Sequence, residues 1–336
     1  MASYGTFLSR HGLFLLLLFS LVMGLPMLAL GSVNIPLHHW SYESLDRLSA
    51  LGLLDQGMMT ARPYSRKQAA RYVARVLERI RSDEIRKDGR ETIAEPLLDR
   101  LMSEFKPELL ALGAWSSRQE PGSRSIRVGG RLTLEADSFS VGHGDVRFRE
   151  NRGGEYYANG LQVQTDMRGW VEVTDALAFS AQPKYVSNAH ALGFGATENN
   201  HNLYMREINA KVTVANITFQ AGRSSLWWGP GYHGSLLVTD HAFPMDMLQL
   251  GTEEAFKLPG WFQRLGQWKI NTFLSQLERD RDFSRAKVFG ARLSYLPTTW
   301  LELGVTRLTQ FGGRGREQSL PQAIVDAYTR PTNAGG

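Results

Sequence analysis

The densest run of chemically capable side chains lies in residues 223–244, RSSLWWGPGYHGSLLVTDHAFP. Trp227, Trp228 and Tyr232 offer flat apolar faces of the kind on which the C–H faces of sugar rings stack. Arg223, His233, Asp240 and His241 carry groups that bond hydroxyls or an acidic sugar. Arg223, Trp227, Trp228, Tyr232, His233 and Asp240 are therefore the candidate carbohydrate-binding residues. A Trp-rich turn serves equally well as packing for a plug or as an interface girdle, and the residues alone leave both readings open. Gly229-Pro230-Gly231 forces a tight irregular turn that cannot pair as a central strand.

Other chemistries are weaker. His233, Ser235 and Asp240 supply the residue types of a nucleophilic triad, but no Gly-x-Ser-x-Gly elbow accompanies them. Glu253 and Glu254 are adjacent, so on a strand they point to opposite faces and make a poor glycosidase pair. His38-His39 and the scattered other histidines lack metal-ligand spacing. Gly312-Gly313-Arg314-Gly315-Arg316 lacks the Lys-Ser/Thr of a phosphate loop and reads as a flexible basic turn. Cysteine is absent, which removes disulfides, thiolate catalysis and Cys-based zinc sites together. No catalytic residue, metal or cofactor is expected. The 38 basic residues are scattered among 33 acidic ones, with no recognition motif, so the net charge of +5 does not point to nucleic acid.

The elements that must carry the segment are strands. From Ile126, apolar Ile126, Val128, Leu132, Leu134 and Ala136 alternate with Arg127, Arg131, Thr133, Glu135 and Asp137. The alternation persists from Gly160 to Val173, longer than the ~5–6 residues of a sandwich strand and long enough for a tilted membrane crossing of ~9–11. Such strands fit a barrel with a greasy lipid side and a wet lumen. Short turns at Thr174–Ala176, Ala215–Asn216 and Pro297–Thr298 are expected to be periplasmic. Long polar excursions at Val141–Tyr157 and Ser187–Asn202 are expected to be external. Strict alternation of direction, with strands at 267–278, 286–296 and 299–310, demands one further crossing within 224–266. Asp246–Phe256 is its best candidate. That makes about nine strands, an odd number, and the tail Phe311–Gly336 reads as loop with a short helix, so the sequence is expected to be an incomplete barrel.

Ahead of the strands, residues 36–113 read as a small helical bundle. Tyr42, Leu45, Leu48 and Leu51 share one face of a helix opened by Ser41 and closed by Gly52. Ser65-Arg66-Lys67-Gln68 reads as a capping box. Behind it Ala69, Tyr72, Val73, Val76, Leu77 and Ile80 form a stripe, with Arg66, Lys67, Arg71, Arg75, Arg79 and Arg81 as a solvated face. A third helix, from Glu91, carries Ile93, Leu97, Leu101, Phe105 and Leu109, with Pro96 near its first turn. Residues 114–124 form a connector and 125–336 the barrel, with 224–245 as a Trp-rich loop or plug. Residues 1–31 read as a cleavable signal peptide: Arg10 and His11 precede an apolar run ending at Ala29-Leu30-Gly31. No later stretch approaches a spanning helix.

Trp227-Trp228-Gly229-Pro230-Gly231, Ser235-Leu236-Leu237 and Ala242-Phe243-Pro244 together resemble the signature of the Wzi capsule-assembly family. The similarity extends to Leu45–Leu54 with Gly52, to Arg62-Pro63 and to Gln310-Phe311-Gly312-Gly313. It implies an 18-stranded outer-membrane barrel with a periplasm-facing helical bundle, acting as a non-catalytic surface lectin that attaches capsular or extracellular polysaccharide to the cell. The partners implied are that polysaccharide, outer-membrane lipid and polysaccharide export machinery, with no nucleic acid. The alternative function is a channel for small solutes.

Overall fold

A computed structural model describes residues 31–82, 89–115, 127–139, 146–148, 153–158, 160–173, 176–187, 203–277, 279, 284–315, 318–319, 321–323 and 325. Residues 1–30 of the expected signal peptide, most of the connector, and the loop residues 141–145 and 188–202 lie outside the described residues.

Nine strands follow one another in an antiparallel meander: β2 (Arg127–Phe139), β5 (Gly160–Glu172), β6 (Leu177–Val186), β7 (Leu203–Val214), β8 (Ile217–Ser224), β10 (Met245–Thr252), β12 (Gln267–Gln276), β13 (Lys287–Thr298) and β14 (Leu301–Phe311). The crossing demanded between 224 and 266 is β10, which pairs with β8 on one side and β12 on the other. Short strands complete the set: β1 (Ala61–Arg62) pairs with β9 (Trp227–Trp228), β3 (Val146–Phe148) with β4 (Tyr156–Ala158), and β11 (Phe256–Lys257) with β12. The β3–β4 pair lies in a segment expected to be loop. Among the described residues the end strands β2 and β14 are not paired with each other.

The period-2 pattern sorts the faces as a barrel wall requires. Leu161, Phe219, Leu248, Leu250, Leu303 and Val305 are exposed on the outer face, while Gln164, Lys184, Lys211, Gln220, Lys269 and Arg292 are buried on the inner one. Turns at one rim are tight. Ala215 and Asn216 both adopt positive φ, at 47° and 70°, the backbone a two-residue hairpin needs. The Pro297–Thr298 turn expected from sequence is instead Thr299–Trp300, because β13 continues through Pro297 past an irregularity in its register with β14.

The inner face is covered by four helices, α1 (Ser41–Ala50), α2 (Arg66–Arg81), α3 (Arg90–Glu104) and α4 (Lys106–Ala111). Their core contains Tyr42, Leu45, Leu48, Val73, Val76, Ala94, Leu98, Leu101, Phe105 and Leu109. Three expectations change. The single third helix breaks at Phe105, where Pro107 starts α4. Its buried stripe runs through Ala94 and Leu98, leaving Ile93 61% exposed. Pro96 sits beyond the first turn of α3, tolerated because Pro96 and Thr92 are both exposed, so the Thr92 carbonyl it deprives of a donor faces water.

The capping box forms only by half. Ser65 Oγ accepts from the Gln68 N–H at 3.0 Å, but the Gln68 side chain turns away, donating to Tyr72 Oη at 2.7 Å and accepting from Lys269 Nζ at 2.9 Å on the barrel wall. The basic face of α2 is likewise not solvated. Arg66 bonds Glu104 and Glu108 at 2.7 and 2.6 Å and lies over the Trp170 ring, Arg71 pairs with Glu254, and Arg75 and Arg79 bond the carbonyls of Gln56 and Gly52. Of the six basic residues, only Arg81 is exposed. Sequence periodicity reports which face is polar, and here the polar face meets a polar lumen wall.

The bundle is fixed at mid-wall and at the tight-turn rim. Asn34 bonds Gln220 and Lys211 at 2.8 and 2.9 Å, and Glu302 accepts from the Met59 N–H at 2.8 Å and from Thr60. Burial raises the pKa of Glu253, but Lys211 at 2.8 Å outweighs it and holds the carboxylate below its ordinary value.

Three buried tyrosines add a pH dependence. The hydroxyls of Tyr42, Tyr64 and Tyr72 donate to the carbonyls of Ile35, Met59 and Met58. Burial raises all three pKa values, that of Tyr72 to about 12. A raised folded pKa gives stability that is complete below the unfolded value of about 10 and lost as pH rises through the folded one. The bundle is therefore expected to lose its fixed tertiary signal between about pH 10 and 12, coincident with tyrosinate absorbance; independent ionisation well before the loss of structure would contradict it.

Candidate binding site

Residues 225–244 leave the sheet between β8 and β10 at the rim opposite the tight turns and fold inward. β9 pairs with β1 of the bundle, the Gly229 N–H donates to the Thr60 carbonyl at 2.8 Å, and the Trp228 N–H to the Val238 carbonyl at 3.0 Å. Trp228 is 4% exposed and packs on Phe273 with centroids 5.3 Å apart, beside Ala61, Leu226, Val238 and Met247. Of the two readings left open by sequence, packing describes Trp228.

Between this inward fold and α1 lies a cleft of about 330 Å³, within the ~300–1,000 Å³ range of small-ligand sites. Trp227, Tyr232, His233 and Asp240 form one wall. Tyr42, Glu43 and Asp46 of α1, with His38, His39 and Trp40 before it, form the other, and Arg62 closes the junction. Four of the six sequence-predicted residues thus meet in one place. Trp227 is buried, whereas Tyr232 is 72% exposed at the mouth with the His233 ring edge-on to it at 5.1 Å. Arg62 Nη2 donates to both Asp46 carboxylate oxygens, at 2.8 and 2.6 Å, and the guanidinium lies over the Tyr42 ring. Burial opposes its charge, but Tyr64 and Asp46 hold its pKa above the ordinary arginine value.

Arg223 is elsewhere. It lies on the outer face, bidentate to Asp246 at 2.8 and 2.9 Å and over the Phe243 ring. β8 explains this by parity: Gln220 and Ser224 are buried inward, so Phe219 and Arg223 point out.

A buried charge cluster lies behind the cleft and meets its lining at His38 and Asp240. Glu155 accepts from Lys184 Nζ at 2.6 Å and from Arg206 Nη1 at 2.8 Å. Arg206 Nη2 also lies 3.2 Å from His38 Nε2, which is 2.6 Å from Asp240 Oδ2. That ring nitrogen accepts from Arg206 or donates to Asp240, one at a time. Asp240 Oδ1 has no hydrogen-bond donor among the described residues. Two backbone devices build the cluster. Arg206 is the extra residue in a bulge, since Gln182 pairs with Glu207 but Pro183 with Met205. Gly153 and Gly154 adopt φ of 66° and 70°, and a Cβ at Gly154 would strike the Phe243 backbone at 2.3 Å, so glycine lets the Glu155 segment approach.

The weaker chemistries do not assemble. The Ser235 hydroxyl donates to the Trp228 carbonyl, and the imidazole beside Asp240 is that of His38. Glu253 and Glu254 are taken up by Lys211 and Arg71. Among the described residues no group of three His, Asp or Glu side chains could hold a metal ion. The arrangement is one of aromatic faces, carboxylates and imidazoles around an open cleft, suited to a polyol with apolar faces.

Comparison with known proteins gives concordant results. The model of the family described as capsule assembly protein Wzi matches residues 135–334. A Klebsiella pneumoniae protein described as an uncharacterized 55.8 kDa protein in the cps region is 26% identical over 253 residues, 72% of this chain and 45% of that protein. A solved structure, described as Wzi, an outer membrane protein involved in group 1 capsule assembly in Escherichia coli and a carbohydrate-binding β-barrel, superposes with a TM-score of 0.58 at 19% identity. The match covers 86% of this chain and 56% of that one, so the chain spans about half the length of the relatives it matches.

Proposed function

Because the chain belongs to the Wzi family of capsule assembly proteins, we propose that it is a non-catalytic outer-membrane lectin that holds capsular or extracellular polysaccharide at the cell surface. The single observation that carries this reading is the cleft in which Trp227, Tyr232, His233 and Asp240 face α1. The exposed Tyr232 ring supplies stacking, Asp46 and the histidines supply directional bonds to hydroxyls, and buried Asp240 orients His38. Nothing in such a site needs a nucleophile, a metal or a cofactor. On this reading residues 1–31 direct export and are removed, 36–113 form the bundle, and 125–336 belong to the barrel. The tight-turn rim faces the periplasm and the long-loop rim the medium. The wall would contact outer-membrane lipid, and the bundle is the part able to meet export machinery. The bundle and the inward fold of 225–244 occupy the inner face, which favours binding over free passage of solutes.

The test uses the full-length gene in its host. Deletion is expected to leave polymer synthesis intact and move polysaccharide from the cell-bound to the released fraction. Tyr232→Ala is expected to do the same in part. Unchanged retention after deletion, with reduced uptake of small solutes, would replace the lectin with a channel.

A further inference from the structure

At the tight-turn rim the connection between β10 and β12, residues 253–266, is long and two-faced. Its inner side is carboxylate: Glu253 pairs with Lys211 and Glu254 with Arg71. Its outer side is aromatic. The 3-10 turn Gly260–Leu265 has no buried residue, Trp261 is 66% and Phe262 51% exposed, and their rings meet at 5.2 Å. Trp300, in the next turn along the same rim, is 79% exposed.

The strands that lead into and out of these turns carry an aromatic row on the outer face. Phe256 pairs with Trp268, Trp268 stacks on Tyr295 at 4.1 Å, and Tyr295 is opposite Leu303. Leu303 is outward-facing, as are Leu293 and Val305 further from the rim. The patch is thus the end of the apolar outer wall. Trp and Tyr combine a large apolar body with a polar N–H or O–H, which suits the boundary between acyl chains and headgroups. Arg264, exposed within the same turn, suits a phosphate headgroup.

We infer that residues 256–265 form a foot seated in the phospholipid leaflet, with Trp261, Phe262 and Trp300 at the headgroup–acyl boundary. The occupant is lipid because the patch is continuous with the lipid-facing wall. The connection would then hold membrane on one side and the bundle, through Glu254 and Arg71, on the other. This inference rests on the outer-membrane reading above.

Residues 1–336 contain no cysteine, so Phe262→Cys and Trp300→Cys in the full-length protein, with any cysteine outside these residues replaced by serine, each give one site for an environment-sensitive fluorophore. Val305→Cys serves as the wall reference and Tyr232→Cys as the opposite-rim reference. The protein is reconstituted in phosphatidylethanolamine–phosphatidylglycerol vesicles carrying nitroxides at the headgroup or at the chain end. Labels at Phe262 and Trp300 are expected to be quenched roughly twofold more by headgroup than by chain-end nitroxides, and shielded from aqueous iodide. Val305 is expected to respond most to the deeper nitroxide and Tyr232 to iodide alone. If Val305 is lipid-quenched while Phe262 and Trp300 respond only to iodide, the foot is aqueous and the inference is wrong. Foot labels shielded from both quenchers would mean that protein covers the patch, which also overturns it. A Val305 label open to iodide would instead overturn the membrane reading itself.

Discussion

Replacing Glu155 by glutamine is expected to destabilise the folded protein by about 3–5 kcal/mol, the cost of removing one partner from a buried charge cluster. Glutamine keeps the shape but removes the charge opposite both Lys184 and Arg206, whose side chains are 4% and 7% exposed. Two cations would then share one buried site with no carboxylate in direct contact. Combining Glu155→Gln with Lys184→Met removes one of them and is expected to recover a large part of the loss, because well-packed apolar replacements of buried ion pairs are often neutral. Denaturant midpoints of the folded protein in detergent measure both. A single-variant change within about 0.5 kcal/mol would mean that the cluster is hydrated and does not organise the structure behind the cleft.

Trp228→Ala is expected to cost a similar ~3–5 kcal/mol, the range for deleting a large buried aromatic side chain. The indole fills the space between Phe273 of the wall, Ala61 of the bundle and Val238 of its own segment, so three units lose packing together. Binding would be lost along with order in 225–244. Tyr232→Ala provides the contrast: the ring is exposed, so stability should change by less than about 0.5 kcal/mol while binding weakens. The same denaturant series reads both variants. Equal stability effects at Trp228 and Tyr232 would contradict the division between packing and ligand-facing aromatics.

Much of the wall was legible because its determinant is local. Alternation at 127–139 and 160–172 follows from a wet inner and apolar outer face, and the need for β10 follows from direction parity alone. What was illegible depends on tertiary contact. The basic face of α2 looks solvated until Glu104, Glu108 and Glu254 are brought to it, and Gln68 looks like a cap until Lys269 offers a better partner. Arg223 was grouped with the tryptophans by proximity in sequence, yet strand parity already sends it outward. Half of the cleft was missed for the opposite reason. His38, Tyr42, Asp46 and Arg62 are far in sequence from 223–244, and no local pattern joins them. The charge cluster behind the cleft had one usable signal, a charged residue at inward parity on β6: Lys184 falls in step with buried Ser180 and Gln182. Arg206 breaks its own strand's parity at the bulge and carried no such signal.

The cleft between α1 and residues 227–240 is the proposed sugar site. The most direct test is calorimetric titration of the full-length protein with purified oligosaccharide from the host capsule. Binding is expected to weaken roughly tenfold in Tyr232→Ala, as the loss of one stacked aromatic implies, and to be unchanged in Arg223→Gln on the outer face. Wild-type affinity in Tyr232→Ala together with loss in Arg223→Gln would contradict it.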